Sequence, residues 1–392
     1  MERIFNNTAV AFAPLSDRAL SRAHFLFSML GNPTLVKVGT ALTNTALKWR
    51  LPVEGIIRAT VFDHFVGGQT EEECLPIVNR MNSHGVSSVL DYSVEGKEEE
   101  ASFDNALRIT LKIVTMARTN KALPFVVFKP TGFGRIDLYE KIGKKEALSQ
   151  DEVSEWNRVK DRFDRVCSAC HAADIMVLID AEETWMQDAA DDLVEQMMEK
   201  YNQNKAIVFN TLQMYRHDRM HYLRQLHDRA KAGGFHIGMK LVRGAYMEKE
   251  NLRAEQEGRP SPICPSKKAT DENFDAAVAY MMQHIDRMAI FAGTHNEESS
   301  YKLMTLMQQK DLLRNDRRIW FGQLYGMSDN ISYNLGAAGY NVAKYLPFGP
   351  VRDVMPYLIR RAEENTSVAG QTGRELALIK AEVSRRKRSK SA

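Results

Sequence analysis

Eight short runs of apolar, largely β-branched residues alternate with longer stretches whose apolar residues recur at helical spacing. The runs are residues 87–92, 124–129, 175–180, 206–213, 236–242, 288–294, 319–324 and 341–346. Such alternation argues for βα units around a parallel sheet. After the fifth run, Phe274, Val278, Met281 and Ile285 share one helix face, with Thr270 as the expected N-cap. Eight such units predict an α/β fold, a (β/α)8 barrel, with a doubly wound open sheet as the structural alternative. Lys129, Asp180, Gln213, Arg243, His295 and Tyr345 stand at or just beyond the ends of runs. In a barrel those carboxyl ends converge on the mouth where chemistry is done, although polar residues also follow strands simply because loops begin there.

The rest of the chain reads as extensions of that domain. Residues 1–80 are expected to be a helical arm, with Leu20, Phe25, Phe27 and Leu30 in one stretch and Leu35, Val38, Leu42 and Leu47 in a second. The barrel is assigned to residues 81–375. Residues 376–392 carry Arg385, Arg386, Lys387, Arg388 and Lys390 and are expected to be a basic, disordered tail, with contact to anionic lipid as a weaker alternative. A hydrophobic fraction of 44% over 392 residues excludes intrinsic disorder of the whole chain. A formal net charge of +3 gives no reason to expect nucleic acid as a partner. No run approaches the length of a spanning helix, and the opening lacks the pattern of a secretory signal. It also lacks the acid-poor, Arg-rich character of a mitochondrial leader. With four cysteines, the chain fits a reducing compartment, so a cytoplasmic location is expected.

Three motifs carry chemistry. Cys167, Cys170 and His171 spell the c-type haem attachment pattern, but Val153, Trp156, Val159, Phe163 and Val166 place them on an amphipathic helix packed against the next strand. Cys74 and Cys264 are isolated, so no metal site is expected. Lys240 and Arg243 lie three apart at a strand end, followed by Gly244, Ala245 and Tyr246. Small residues there admit a flat or phosphorylated ligand that the two cations could neutralise, while an edge salt bridge explains the same pattern. Arg360 and Arg361 are adjacent on a helix and point about 100° apart, so they can flank one small carboxylate. Glu364, a turn away from both, could hold one guanidinium, and a solvated helix face with an ion pair is the plainer alternative. Neither a Walker A loop nor GxGxxG occurs, so a cofactor would be held by other means.

The segments FKPTGFGR, LIDAEE, NTLQMYRHDR, KLVRGAYMEKE, GTHNEES, FGQLYGM, KYLPFGP and YLIRRAEEN, in that order over residues 85–370, resemble the proline dehydrogenase family. The resemblance implies a distorted (β/α)8 barrel that binds FAD non-covalently and oxidises L-proline to Δ1-pyrroline-5-carboxylate. It implies a substrate site of Lys129, Asp180, Leu324, Tyr345, Arg360, Arg361 and Glu364. The arginines and Lys129 would hold the proline carboxylate, Tyr345 would cover the ring, Leu324 would form an apolar wall, and Asp180 and Glu364 would hold the cations. For FAD it implies Gln213, Lys240, Val242, Arg243, Gly244, Ala245, Tyr246, Lys267, Thr270, Thr294, His295 and Asn296. Some members carry arginine at position 240, and a lysine there offers a point charge instead of a fork.

The resemblance further implies hydride transfer from proline carbon 5 to the flavin N5, with electrons passing to quinone at a peripheral contact with the inner membrane. Tyr345 resembles the proline-specific members more than the hydroxyproline-oxidising ones, which leaves hydroxyproline as the alternative substrate. No aldehyde dehydrogenase segment is recognised, so a monofunctional enzyme is expected, its product passing to a separate pyrroline-5-carboxylate dehydrogenase. A Schiff-base lyase using Lys129 or Lys240 on the same barrel is the rival from another class.

Overall fold

The computed structural model describes residues 3–32, 34–37, 39–41, 49, 54–94, 96, 98–367 and 371–391, except for the side chains of residues 54, 56, 59, 362–367, 371, 372 and 391. Eight parallel strands close into a barrel in chain order: β1 (Ser87–Tyr92), β2 (Phe125–Phe128), β3 (Met176–Ile179), β4 (Val208–Gln213), β5 (Ile237–Val242), β6 (Met288–Gly293), β7 (Ile319–Leu324) and β8 (Val342–Phe348). The open-sheet alternative is thereby removed. All eight expected runs become strands. Their ends shift by a residue or two, because the polar end positions, Lys129 and Asp180 among them, leave the ladder to enter loops.

The chain forms two compact units, residues 96–322 and residues 1–95 with 323–392. In the first, the base of the barrel is filled by aromatic rings. Phe125 meets Phe209, Phe291 and Trp320 edge-on, with centroids 5.9, 5.1 and 5.0 Å away. Gly322 leaves the room this needs, since a Cβ there would lie 2.1 Å from a ring atom of Phe291. The helix Gln150–Ala173 starts at a capping box, in which Ser149 Oγ accepts from Glu152 N and the Glu152 carboxylate accepts from Ser149 N. It buries Val159, Phe163, Val166, Cys167 and Cys170, but of the face expected to pack, Trp156 is only half-buried and Val153, in the first turn, is exposed. The second helix after β5 begins at Lys267, not at Thr270. Ser266 is its N-cap, its hydroxyl accepting from Ala269 N at 3.1 Å. Serine has the better reach because it precedes the helix, whereas Thr270 already lies within the first turn.

In the second unit β1 pairs with β8, Ser87 opposite Ala343. The helix Asp17–Leu30 buries Leu20, Phe27 and Leu30 as expected, while Phe25 faces outward at 59% exposure. Val38, Leu42 and Leu47 lie outside the described residues. The basic tail expected at 376–392 is corrected: it belongs to a helix, Gln371–Ser391. Leu378 and Ile379 pack with Ala11, Phe12, Leu20, Ala23 and Phe27, and buried Glu382 accepts from Arg385 and Arg386 at 2.8 Å. Arg386 also donates to the carbonyls of Phe12 and Leu15, so part of the charge run is consumed by internal bonds.

Candidate functional site

The residues singled out from the sequence fall in both units, some at strand ends and others, such as Lys267, Thr270, Arg360 and Arg361, on helices. In the unit of residues 96–322, Lys240 is buried near the end of β5. Its Nζ donates to Asp180 Oδ1, just past β3, at 2.5 Å. Asp180 thus holds the Lys240 ammonium. Gln213 ends β4 with 2% exposure. Its amide nitrogen donates to Ala181 O at 3.4 Å, while its Oε1 is buried with no partner among the described residues.

Arg243 follows β5 and is fixed on three sides. Its Nε donates to Asp271 Oδ1 at 2.6 Å, one Nη to Thr294 Oγ1 at 2.7 Å and the other to Ser299 Oγ at 3.0 Å. The guanidinium also lies over the Phe274 ring, 4.5 Å from its centroid. Lys267 reaches the second oxygen of Asp271 at 2.6 Å. Burial pushes the Asp271 carboxyl up, but the Lys267 and Arg243 bonds outweigh it and hold the group below its ordinary range. Thr294 Oγ1 in turn accepts from Asn296 N, and Asn296 caps the helix Glu297–Gln309 by accepting from Glu298 N and Ser299 N. His295 is half-buried between them, and Thr270 is buried beside Cys264.

Gly244 has φ +125°, and a Cβ on it would lie 2.5 Å from ring atoms of Tyr215. Only glycine fits there. The chain then passes Ala245 to Tyr246, which precedes a helix the sequence reading did not separate, Met247–Gln256. That helix is pinned by buried Glu250, whose carboxylate accepts from Thr184 N and Oγ1 at 2.7 and 2.6 Å. The turn that follows β5 is exposed at Gly244 and Ala245. Val242 packs against Gly293, with 3.0 Å from its Cγ1 to the position of a Cβ there.

Lys129 ends the β2 run. Near it stands a residue that sequence reasoning missed: Glu182, buried, accepts from Thr131 N at 2.9 Å and Thr131 Oγ1 at 2.6 Å. Burial pushes the Glu182 carboxyl up to about 7, against the Thr131 bonds and the Lys129 charge. Its signal in the sequence was an acid two residues past a strand end, inside the segment LIDAEE. The partners of Arg243, namely Asp271 and Ser299, were also missed, because they come from helices distant in sequence.

In the other unit, Tyr345 is buried in β8 and its carbonyl accepts from Tyr325 N at 2.8 Å. Arg360 and Arg361 lie on the helix Met355–Ser367. Arg361 is buried with its guanidinium 5.1 Å from the Tyr357 ring centroid, and Arg360 is half-buried, as their 100° separation requires. Leu324 packs against the cluster that contains Met327, Tyr357 and Leu358. The side chain of Glu364 lies outside the described residues.

Among the described residues no group of three or more His, Cys, Asp or Glu could hold a metal, and no helix is long and apolar enough to cross a membrane. Cys167 and Cys170 are buried, and burial raises both thiols well above their ordinary range. Reactive thiolates are not made this way.

The family model for proline dehydrogenase matches residues 74–374. The carbapenem antibiotics biosynthesis protein CarD of Pectobacterium carotovorum is 38% identical over 85% of this chain and 86% of its own length. The hydroxyproline dehydrogenase of Xenopus laevis is 31% identical over 95% of this chain and 88% of its own. Proline utilization A from Bdellovibrio bacteriovorus superposes with a TM-score of 0.72 at 18% identity, over 94% of this chain. This chain spans 39% of that protein's length, and the likeness speaks to the fold alone. From the family match and the two curated relatives, the chain belongs to the proline dehydrogenase family, a family of oxidoreductases.

Proposed function

We propose that this chain oxidises L-proline to Δ1-pyrroline-5-carboxylate with non-covalently bound FAD. The observation that carries the reading is Arg243, a guanidinium fixed on three sides beside a turn where Gly244 admits no side chain. A rigid cation next to exposed backbone suits a pyrophosphate-bearing cofactor. Gln213, with its buried Oε1 lacking a partner, offers an acceptor of the kind a flavin ring N–H could meet. The residues present fit the cofactor. Lys240, Val242, Arg243, Gly244, Ala245, Tyr246, Lys267, Thr270, Thr294, His295, Asn296 and Gln213 would hold it.

FAD, when bound, would accept the hydride that leaves proline carbon 5 with its electron pair. The chain's own residues bind and orient. Arg360, Arg361 and Lys129 are assigned to the proline carboxylate, the groups whose fixed positive charge can spend binding energy on orientation. Asp180 keeps Lys240 in place, and Glu364 is assigned the same duty toward the arginines. Tyr345 and Leu324 are assigned to the ring. The nitrogen lone pair forms the C=N bond as the hydride leaves, so the substrate must react as the neutral amine and then lose one proton.

Proline is preferred over hydroxyproline on the strength of Tyr345, whose bulk leaves less room for a ring hydroxyl. The Xenopus relative makes hydroxyproline the alternative substrate. Electrons are assigned to quinone at a peripheral membrane contact of a cytoplasmic enzyme. The product is assigned to a separate pyrroline-5-carboxylate dehydrogenase in proline breakdown. Biosynthetic use, which the Pectobacterium relative's name states for that protein, is the alternative fate.

An absorption spectrum followed by anaerobic L-proline tests the reading. Bands near about 380 and 450 nm that bleach with proline support it. A colourless protein after supply of FAD overturns it, and trapping by borohydride with substrate would then point to the lyase.

A further inference from the structure

The ladder between β2 and β3 ends where Asp180 N donates to Phe128 O at 3.0 Å. Beyond that bond Lys129 and Asp180 lie past the ends of their strands. The two segments are joined again two residues later. Thr131 donates both its backbone N–H and its hydroxyl to the Glu182 carboxylate, one to each oxygen, at 2.9 and 2.6 Å. Tyr139 closes the far side of the same turn, its hydroxyl donating to Pro130 O at 2.9 Å.

The acceptor is itself anchored. Glu182 N donates to Gln187 Oε1 at 2.9 Å, and Gln187 Nε2 donates to Asp191 Oδ1 at 2.8 Å. Asp191 is held by Asn210 Nδ2 at 2.9 Å and by Arg219 at 2.8 Å. All of these side chains are buried except that of Thr131, which is half-buried. A buried polar chain thus runs from the helix layer to the turn that carries Lys129. We propose that Glu182 is a positioning residue, whose clasp on Thr131 fixes the turn after β2 and so holds Lys129 in the orientation that receives the substrate carboxylate.

This rests on the proposed role of Lys129, but the clasp can be measured without it. With both Thr131 groups donating, the carboxylate accepts best when ionised, because protonation makes one oxygen a donor and weakens it as an acceptor. Burial drives Glu182 toward protonation near neutral pH, Glu183 adds to this, and Lys129 and the Thr131 donors oppose it. Tyr139, the remaining titratable group facing the carboxyl, is itself raised by burial and stays a neutral donor. The clasp is therefore strongest above about pH 7 and weakens below it.

The test compares wild-type holoenzyme with Glu182→Gln, Thr131→Val and Thr131→Ser. The readouts are flavin content, KM and kcat for L-proline at pH 6 and 8, and the acetic anhydride labelling rate of Lys129 by mass spectrometry. At pH 8, Glu182→Gln and Thr131→Val should raise KM about tenfold with kcat and flavin content little changed, the scale of one charge-assisted hydrogen bond. The variant-to-wild-type KM ratio should fall toward one at pH 6 for Glu182→Gln. Thr131→Ser, which keeps both donors, should behave as wild type.

Lys129 labelling should be several-fold faster in the first two variants and unchanged in the third. An unchanged KM with unchanged labelling overturns the proposal, as does a KM ratio independent of pH. If Glu182→Gln does not fold, Thr131→Val decides between the same outcomes. If the wild type does not oxidise proline, the proposed function fails, and equal Lys129 labelling in wild type and variants would overturn the clasp separately.

Discussion

Lys240 Nζ lies 2.5 Å from Asp180 Oδ1, and the two side chains are only 6% and 16% exposed. They join the ends of β5 and β3, so one ion pair couples a residue assigned to FAD with one assigned to the substrate. Removing one partner of such a pair costs more than the pair is worth, because the remaining charge stays out of water. Asp180→Asn should lose about 3–5 kcal/mol in denaturant unfolding, whereas replacing both residues together, with Lys240→Met and Asp180→Leu, should recover most of it. A loss within error of zero for Asp180→Asn would mean the pair contributes nothing to the fold.

Gly244→Ala should separate the cofactor from the barrel. Its φ of +125° and the 2.5 Å approach to Tyr215 make any Cβ strained, at a cost of about 1–3 kcal/mol confined to the turn after β5. Flavin absorbance per protein should fall sharply in the purified variant while the far-ultraviolet circular dichroism is retained. Full flavin occupancy would remove this turn from the cofactor site.

Arg361→Met keeps the length of a side chain that is buried over Tyr357 but removes its charge. Losing a charge-assisted bond to the carboxylate should raise the proline KM about ten- to a hundredfold, with flavin content unchanged. An unchanged KM would take Arg361 out of substrate binding.

The fold was legible because each βα unit repeats two periodicities that backbone geometry imposes, and these are read locally. The same holds for Lys240, Arg243 and Gly244, which sit side by side at one strand end. What was not legible depends on partners brought close only by folding. For Arg243 the sequence offered a ligand contact or an edge salt bridge. The structure does pair it with Asp271, but that partner, like Thr294 and Ser299, comes from a later segment and could not be named from the strand end. The 376–392 segment looked unpackable because its charges are concentrated after Ala381. Its anchors are Leu378 and Ile379 on one side and the carbonyls of Phe12 and Leu15 on the other, more than 360 residues away in sequence. Glu182 fell between these cases, since its position was visible but its burial was not.

Glu375 should make stability depend on pH. It accepts from Ser328 N at 2.9 and 3.0 Å, tying the helix Gln371–Ser391 to the start of the helix Asp329–Ala337. Burial and the neighbouring Asp329 charge push its carboxyl up to about 7, against the Ser328 bond and the Lys344 ammonium, which is itself paired with Asp329 at 2.8 Å. His64, facing Asp329 and Lys344, is pushed down to about 4 by burial and is neutral over the range concerned. A carboxyl whose pKa is raised in the folded state binds its proton more tightly there than in the unfolded chain. Its contribution is therefore complete below the ordinary glutamate range and is lost as pH rises to about 7. A displacement of this size corresponds to about 3 kcal/mol between pH 4.5 and 7.5. Glu375→Gln carries no charge at either end, so it should be more stable than wild type at pH 8 and should flatten that part of the profile. Parallel profiles for the two proteins, measured by urea unfolding from pH 5 to 8, would show that Glu375 does not titrate across this range.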